Sequence, residues 1–585
     1  MAQALAVKLA SAVRLHQQGQ LDQAGLLYQQ ILQAQPQHFD ALQLSATIAM
    51  QQKKSTAAVA LFDQALKIQP RHAAALNNRG NALRDLGRGA EALESYEKAL
   101  KIQPDYVEAL SNRGAALRHL GRLSDALGSY DQALKVKPDY ALALTNRGNT
   151  LRALGRSGDA LDSHDRALKI QPDYADALSS RAAALMDLKR PDEALASCAR
   201  ALQVRPNHPE ALNNRGNALW ALRQPAQALE SFGRALTVRP DYAEAFSNRG
   251  NVWRELQRPT EALADFASAL RLNPDHAEAH WNEALCRLML GEFELGWQKY
   301  EWRWKKEPGL SMARNFTQAL WLGKEPLQGK TILLHAEQGL GDTIQFCRYA
   351  KQVAALGARV VLEVQPALKT LLQGLEGASL VIAKGEQLPD FDYHCPLLSL
   401  PLAFQADLSN ISGQKYLHSD PAKRQQWQTR LGPASKTRVG LVWSGATGHQ
   451  NDHNRSLSLA QIAPLISEQA QYYCLQKELR PADQATLRNT PTLQFMGEFL
   501  KDFSDTAALL EQMDLLITVD TSVAHLAGAM GKEVWIMLPF SPDWRWLLNR
   551  SDNPWYESAR LFRQPAPGDW ASVLAQVQAA LQAKS

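Results

Sequence analysis

No stretch of this chain approaches the roughly eighteen consecutive apolar residues that a membrane-spanning helix requires. Nor does it contain a CxxC pair. The five cysteines, Cys198, Cys286, Cys347, Cys395 and Cys474, stand far apart. That excludes a disulfide framework and a cysteine zinc site, and fits a reducing compartment. A surplus of one charge sign is missing too: a net +5 over 585 residues makes no case for nucleic acid or an anionic membrane as partner. Low-complexity tracts are absent, and the length predicts two or three domains of ordinary globular composition. The N-terminus, MAQALAVKLASAVRLHQQG, has Lys8 and Arg14 where a signal peptide needs an unbroken apolar core. It reads as the first helix of a repeat, and a cytoplasmic protein is expected.

What is abundant is periodicity. Pro36, Pro70, Pro104, Pro138, Pro172, Pro206, Pro240 and Pro274 are spaced by 34 residues, the tetratricopeptide period. Aligned on these prolines, Gly80, Gly114, Gly148, Ala182, Gly216, Gly250 and Ala284 share one position. Ala92, Ala126, Ala160, Ala194, Ala228 and Ala262 share a second, and Ala99, Ala133, Ala167, Ala201, Ala235 and Ala269 a third. Small side chains there let the two helices of a hairpin approach, and the proline after the second helix cannot continue it. Eight regular repeats are expected over about 5–276. A divergent ninth comes after them at 277–305, where EFELGWQKYEWRW replaces the usual second helix. Such an array curls into a superhelix with a groove lined by the first helices.

Two residues before the small position stand Asn78, Asn112, Asn146, Asn214, Asn248 and Asn282, with Ser180 the single break. One such Asn is polar filler. Six in register suggest a ladder of amide donors and acceptors for an extended peptide. The row resembles the asparagine ladder in the repeat domain of O-linked N-acetylglucosamine transferases, although passive duplication of near-identical repeats also produces such a row. The next position, Arg79, Arg113, Arg147, Arg181, Arg215 and Arg249, is expected to face a neighbouring repeat or solvent.

After Trp304 the period stops. Trp281, Trp297, Trp302, Trp304 and Trp321 are expected to weld the array to the C-terminal half of the chain, through a connector at 306–327. From Lys330 short apolar runs alternate with helical stretches, the pattern of parallel α/β layers. Strands are expected at 330–337, 358–364 and 379–385, with a helix at 344–357. A helix end and linker fill 425–437. A second series then opens at 438–445 and continues at 471–477, 493–499, 515–520 and 533–539. Two α/β domains, 328–424 and 438–550, are thus expected to flank a ligand cleft. A C-terminal segment, 551–585, ends in a helix at 569–583 that is expected to cross back onto the first domain.

Gly339 and Gly341 give GxG, but Ile344 occupies the third glycine position and no suitable acidic residue ends the second strand, so the dinucleotide fingerprint fails. A Walker A loop is absent as well. Asp342 sits in this loop, with Thr343 beside it, where a helix begins. It is either an N-cap or a group presented to the cleft. Asp520, Thr521 and Ser522 end a strand and His525 lies in the first turn of the next helix. Backbone N–H groups plus two hydroxyls suit a diphosphate, while a cap and a satisfied histidine are the plainer alternatives.

GLGDT followed by VDTSVAHLAGAMGKEVW resembles the heptosyltransferase-type glycosyltransferases over roughly 328–565. Bacterial proteins that fuse tetratricopeptide repeats to this domain carry LLHAEQGLGDTIQF, NRS and LPFSPDWRWLL, all present here. The resemblance implies a GT-B pair of Rossmann domains, the first for acceptor and the second for nucleotide-sugar. It implies Asp342 as base, and Asp520, Thr521, Ser522 and His525 on the donor diphosphate. Ser522 replaces a usual Gly. Arg455 replaces a donor-binding Lys, with Ser444 the strand-end hydroxyl, and a guanidinium serves a diphosphate well. The implied reaction is inverting and metal-independent, with a nucleotide-sugar as substrate, no cofactor, and a protein or peptide acceptor in the repeat groove. His449/His453 lie in a polar loop unsuited to metal, and no metal is expected. LPFSPDWRWLL (Pro539, Trp544, Arg545, Trp546) is expected to close the cleft floor, with its tryptophans packing. Two alternatives are a non-catalytic scaffold with a degenerate transferase half, and a transferase acting on a cell-surface glycan.

Overall fold

The structure, a computed structural model, describes residues 2–306, 309–337, 339–448 and 451–584. The repeat hairpins come first. Helix A of successive repeats begins at Ala2, Phe39, Ala73, Val107, Ala141, Ala175, Pro209, Ala243 and Ala277, and helix B at Leu21, Ser55, Gly89, Leu123, Ser157, Pro191, Pro225, Pro259 and Phe293. The ninth helix B is short, Phe293–Tyr300, and passes into a 3-10 turn, Glu301–Lys305. Each hairpin turn puts one residue in the left-handed region. That residue is Gly87, Gly121 or Gly155 in three repeats but Lys53, Lys189 or Arg223 in others, which accept the backbone strain. Helix A is often capped by histidine: His38, His72, His208 and His276 each accept the N–H three residues on.

The shared glycine is explained by what faces it. A Cβ on Gly80 would lie 2.5 Å from the Tyr96 ring, on Gly114 2.7 Å from Tyr130, on Gly148 2.5 Å from His164, and on Gly216 2.5 Å from Phe232. Each hairpin therefore closes by setting a large ring against bare backbone. The arginine row knits repeats together. Arg79 reaches Asp63 of the preceding repeat (2.6 Å) and Ser95 of its own (2.8 Å). Arg147 and Arg181 repeat the pattern with Asp131/Ser163 and Asp165/Ser197.

The chain forms two compact units, Met1–Ala245 and Phe246–Ser585. The division falls inside the eighth repeat rather than at 305, because the ninth hairpin belongs to the core of the second unit. Leu288, Phe293, Trp297 and Tyr300 are buried there with Trp321, Phe346 and Trp544.

That second unit holds two all-parallel sheets. The first contains β1 (Ala319–Leu320), β2 (Thr331–His335), β3 (Arg359–Val364), β4 (Leu380–Ala383) and β5 (Tyr393–Pro396), in the order β1-β5-β2-β3-β4. The second contains β6 (Arg438–Val442), β7 (Gln471–Cys474), β8 (Leu493–Phe495), β9 (Leu515–Val519), β10 (Val534–Leu538) and β11 (Ala559–Arg563), in the order β11-β10-β9-β6-β7-β8. Three strands lie outside the expected set: β1 inside the connector, β5, and β11 beyond residue 550. Each is short or at an edge, so its apolar pattern is weak.

Two other expectations change. The helix at 344–357 is two helices, Leu340–Phe346 and Tyr349–Ala355. Arg348 Nε and the Tyr416 hydroxyl take the Gln345 carbonyl (2.7 and 3.3 Å), which the next helical turn would need. The last helix, Trp570–Lys584, packs Trp570, Val573 and Val577 on the outer face of the second sheet, not on the first domain, because its apolar stripe meets Leu441, Ile517 and Phe562 there. The outer face of the first sheet (Leu333, Val361, Ile382) is covered by Phe316, Leu388 and Phe391 from loops rather than by helices.

His164 is the odd ring of the series. It is fully buried with neither nitrogen hydrogen-bonded, and burial pushes its pKa down to about 4. A folded-state pKa below the unfolded 6.5 means stability is full above pH 6.5 and falls as pH drops toward 4. His164→Phe, matching Phe232, is expected to remove that loss. At pH 5 the variant should gain about 2 kcal/mol over wild type, read by chemical denaturation at pH 7.5 and 5. Equal differences at the two pH values would contradict the account.

Candidate functional site

In both sheets the strand order reverses at a point that prepares a crevice. In the first, β3 lies on one side of β2 and β5 on the other. In the second, β7 and β9 flank β6. Loops leaving β2, β6 and β9 at their carboxyl ends are therefore where an open parallel sheet binds ligands. The C-terminal residues expected to bind or react (Gly339, Gly341, Asp342, Thr343, Ser444, Arg455, Asp520, Thr521, Ser522 and His525) each lie on one of these three loops or on the helix that comes next.

On the first sheet, Gly339 is the N-cap residue of the helix Leu340–Phe346, and Asp342 at the third helical position reaches back to it, its Oδ2 accepting the Gly339 N–H (3.0 Å). Its Oδ1 accepts from Arg545 Nη2 at 2.5 Å. Asp342 thus both caps its own helix and pairs with the loop after β10 of the other sheet. Thr343 is turned inward, donating to Gln365 Oε1 (2.9 Å), and is scaffolding. Gly341 is required by close approach: a Cβ there would lie 2.7 Å from His525 Cδ2. Two helices from different sheets meet at that point.

The opposite helix, Ser522–Ala529, starts after β9 with Thr521 as a cap residue whose side chain makes no capping bond; its hydroxyl pairs with that of Thr518 (3.2 Å). Ser522 is the first helical residue. Arg455 Nη1 donates to the Asp520 carbonyl (2.9 Å), and its guanidinium lies over Gly445, where a Cβ would be 2.5 Å from Nη2. Its bonded partner is a carbonyl and not a carboxylate, so its charge stays available to an anion at the start of that helix. Ser444 accepts from Gln476 Nε2 (3.0 Å) and keeps its own proton to donate. Burial, with the charge of Asp543 beside it, raises Asp520 to about 6. His525 is pushed down to about 3 by burial and by Arg545, so it is a neutral ring at physiological pH. Its Nδ1 pairs with the Tyr556 hydroxyl (3.0 Å), and its face stacks on Trp546 with centroids 5.2 Å apart.

The residue that gathers these groups is Arg545, in the 3-10 turn Trp544–Trp546 after β10. Asp543 caps the turn and binds the Arg545 side chain (2.9 Å), and Leu547 comes next at a positive φ of 53°. Arg545 reaches Asp342 and also Gln345 Oε1 (2.8 Å), so it ties the second sheet's loop to the first sheet's helix. Arg545 was named from the sequence only within LPFSPDWRWLL, the stretch expected to close the cleft floor; Asp543, Gln345 and Tyr556 were not singled out, and Trp546 was assigned to packing. The stretch LPFSPDWRWLL carried the only signal. His449 lies outside the described residues, and among those described no group of three His, Cys, Asp or Glu is arranged to hold a metal ion.

The asparagine row is partly engaged. Asn112 Nδ2 donates to Asn77 Oδ1 (3.0 Å), and Asn214 Nδ2 to the Ser179 carbonyl (3.0 Å), each in the preceding repeat. Asn78 Oδ1 accepts from Asn77 (3.3 Å). Asn146 and Asn248 are half-buried, and Asn282 is buried in the ninth hairpin. The row therefore stitches repeats together and, through Oδ1 of Asn112 and Asn214, keeps acceptor capacity.

Comparison with known proteins assigns the first half. Residues 80–121 match the TPR repeat family, and 15–79, 105–173, 173–241, 213–274 and 254–300 match tetratricopeptide repeat families. Protein FlbA of Caulobacter vibrioides is 28% identical over 330 residues, 51% of this chain and 54% of that protein, so the chain spans about half the length of this relative. Among solved structures, a tetratricopeptide repeat protein from Parabacteroides merdae is 21% identical over 42% of this chain and 98% of its own (TM-score 0.38). YrrB, described as a TPR protein with an unusual peptide-binding site, is 26% identical over 32% of this chain and 96% of its own (TM-score 0.25). The N-terminal half is a tetratricopeptide-repeat scaffold of the protein-interaction class, and the C-terminal part is α/β with parallel sheets. No helix among the described residues is long and apolar enough to cross a membrane.

Gly341→Ala tests the close approach. The added methyl forces the two helices apart, and the variant is expected to lose about 1–3 kcal/mol of stability, measured by denaturant unfolding. Gly374→Ala, where a Cβ meets nothing within 4 Å, is the control. A silent Gly341→Ala would refute the packing.

Proposed function

We propose that the protein is a glycosyltransferase, inverting and metal-independent, that moves a sugar from a nucleotide-sugar to a protein or peptide acceptor held by the repeats. The two sheets are read as a GT-B pair. The observation that carries the reading is the juxtaposition at the two switch points: an uncapped helix start with Arg455 on one side, and a cleft-facing carboxylate, Asp342, on the other. An anion site facing a base is what displacement of a nucleoside diphosphate requires.

In the proposed step the acceptor hydroxyl oxygen forms a bond to the anomeric carbon and its proton passes to Asp342. The carbon–oxygen bond to the diphosphate breaks, and its electron pair leaves with the nucleotide. Arg455, Ser444, the amides from Ser522 onward and the neutral His525 receive the diphosphate. The acceptor half rests on the repeats, whose asparagines retain acceptor groups. A cytoplasmic setting is part of the proposal, since all five cysteines are buried free thiols.

One observation favours a second reading, a non-catalytic scaffold: both Asp342 oxygens are already engaged, by Gly339 and Arg545. Slow hydrolysis of a panel of nucleotide-sugars separates the two. Wild type should turn over at least one donor, and Asp342→Asn should lower kcat about 100-fold or more. Absence of binding and turnover for every donor would leave the scaffold. Removing the first unit, residues 2–245, should spare donor hydrolysis and abolish modification of the protein acceptor; unchanged modification would refute capture by the repeats.

A further inference from the structure

We infer that the ninth repeat hairpin is the positioning element of this site, gripping the Asp342 loop with one arm and the Arg545 turn with another. The inference rests on the reading of Asp342 and Arg545 as members of the reacting centre.

The first arm is Arg303. It leaves the 3-10 turn that ends the hairpin and is buried at 3% exposure. It holds Glu337 through two parallel bonds, Nε to Oε2 (2.8 Å) and Nη2 to Oε1 (2.9 Å), and reaches Ser399 (2.7 Å) and Glu301 (2.6 Å). Tyr300 and Trp304 lie 5.0 and 4.7 Å from its guanidinium. Glu337 also accepts the Leu398 N–H (3.2 Å), and it stands two residues before Gly339, the cap of the Asp342 helix. A bidentate guanidinium–carboxylate pair sets direction as well as distance. Nothing about loading a peptide into a repeat requires this pair, and it is directed into the β2 loop.

The second arm is aromatic. Trp297 meets Trp544 edge-on at 5.2 Å and Tyr300 meets it at 6.1 Å, while the Trp297 indole donates to the Ala406 carbonyl (2.8 Å). Trp544 in turn lies 4.3 Å below the Arg545 guanidinium. A third contact comes from the eighth hairpin's turn, where Gln257 donates to the Phe540 carbonyl of the same loop. The turn carrying Arg545 is followed by Leu547 in the left-handed region, a conformation that its surroundings must hold. The 2.5 Å contact between Asp342 and Arg545 is therefore assembled from two loops of different sheets, each anchored to the same hairpin. Arg303, Trp297 and Trp544 are positioning residues and touch no reacting atom.

The test uses the full chain with Arg303→Lys, which keeps charge but loses the fork, and Trp544→Phe, which keeps an aromatic wedge. Amide hydrogen exchange needs no turnover and reads the positioning alone. At least tenfold faster exchange is expected at 339–346 and 543–549, with β2, β3, β9 and β10 as protected as in wild type. With a donor that turns over, kcat should fall at least tenfold while nucleoside diphosphate Kd stays within about twofold, and Arg303→Lys should retain more activity than Arg303→Met. Wild-type exchange in both loops, or acceleration spread equally over the strands in both variants, overturns the inference. If wild type turns over no donor, the glycosyltransferase reading fails, and the exchange pattern still decides whether the hairpin holds the two loops.

Discussion

Two helix starts, one from each sheet, are pressed together until glycine backbone meets an imidazole ring. The contact between Gly341 and His525 sets the distance across the cleft, and the Arg545–Asp342 pair sets its orientation. Other features of the second unit serve to keep this contact. Arg348 is held under the same helix by the Ser412 and Trp555 carbonyls (2.8 and 3.0 Å), which carries the segment at Ser412 and the segment after β10 to one point. His525 is neutral because it is buried beside Arg545, so it contributes an orienting ring rather than a charge. Arg455 is hydrogen-bonded to a main-chain carbonyl, and in the proposed function it is the charge offered to the diphosphate.

The repeats solve a similar packing problem with other residues. A ring at one position of helix B needs a missing side chain on helix A, and the arginine next to that gap crosses to the neighbouring repeat. Asn112 and Asn214 of the repeated row share their amides with the same stitching, so changes to them act on the register of adjacent repeats.

The repeat boundaries were legible residue by residue, because a 34-residue period repeats the same steric demand many times. Parallel layers were legible where strands are central and apolar, such as β2, β6 and β9. The strands β1, β5 and β11 were not, being short or at an edge, where pairing rather than composition makes the strand. Asp342, Arg455, Asp520 and His525 were proposed through loop position and resemblance. Arg545 was placed only within a stretch expected to close the cleft floor, and its pairing was not foreseen, because its partners Asp342 and Gln345 are 200 residues or more away in the chain. The crossing of the last helix was misread for a related reason: an apolar stripe states that it will be covered, not by which sheet.

The central claim is that the start of the helix Ser522–Ala529, with Arg455, receives a diphosphate opposite Asp342. Titration calorimetry with nucleoside diphosphates tests it most directly, comparing wild type with Arg455→Gln. At least one nucleoside diphosphate should bind wild type, and the variant should bind it about tenfold more weakly or worse, a loss of roughly 1.4 kcal/mol. Equal affinity for the two proteins, or no binding of any nucleoside diphosphate to wild type, would contradict the account.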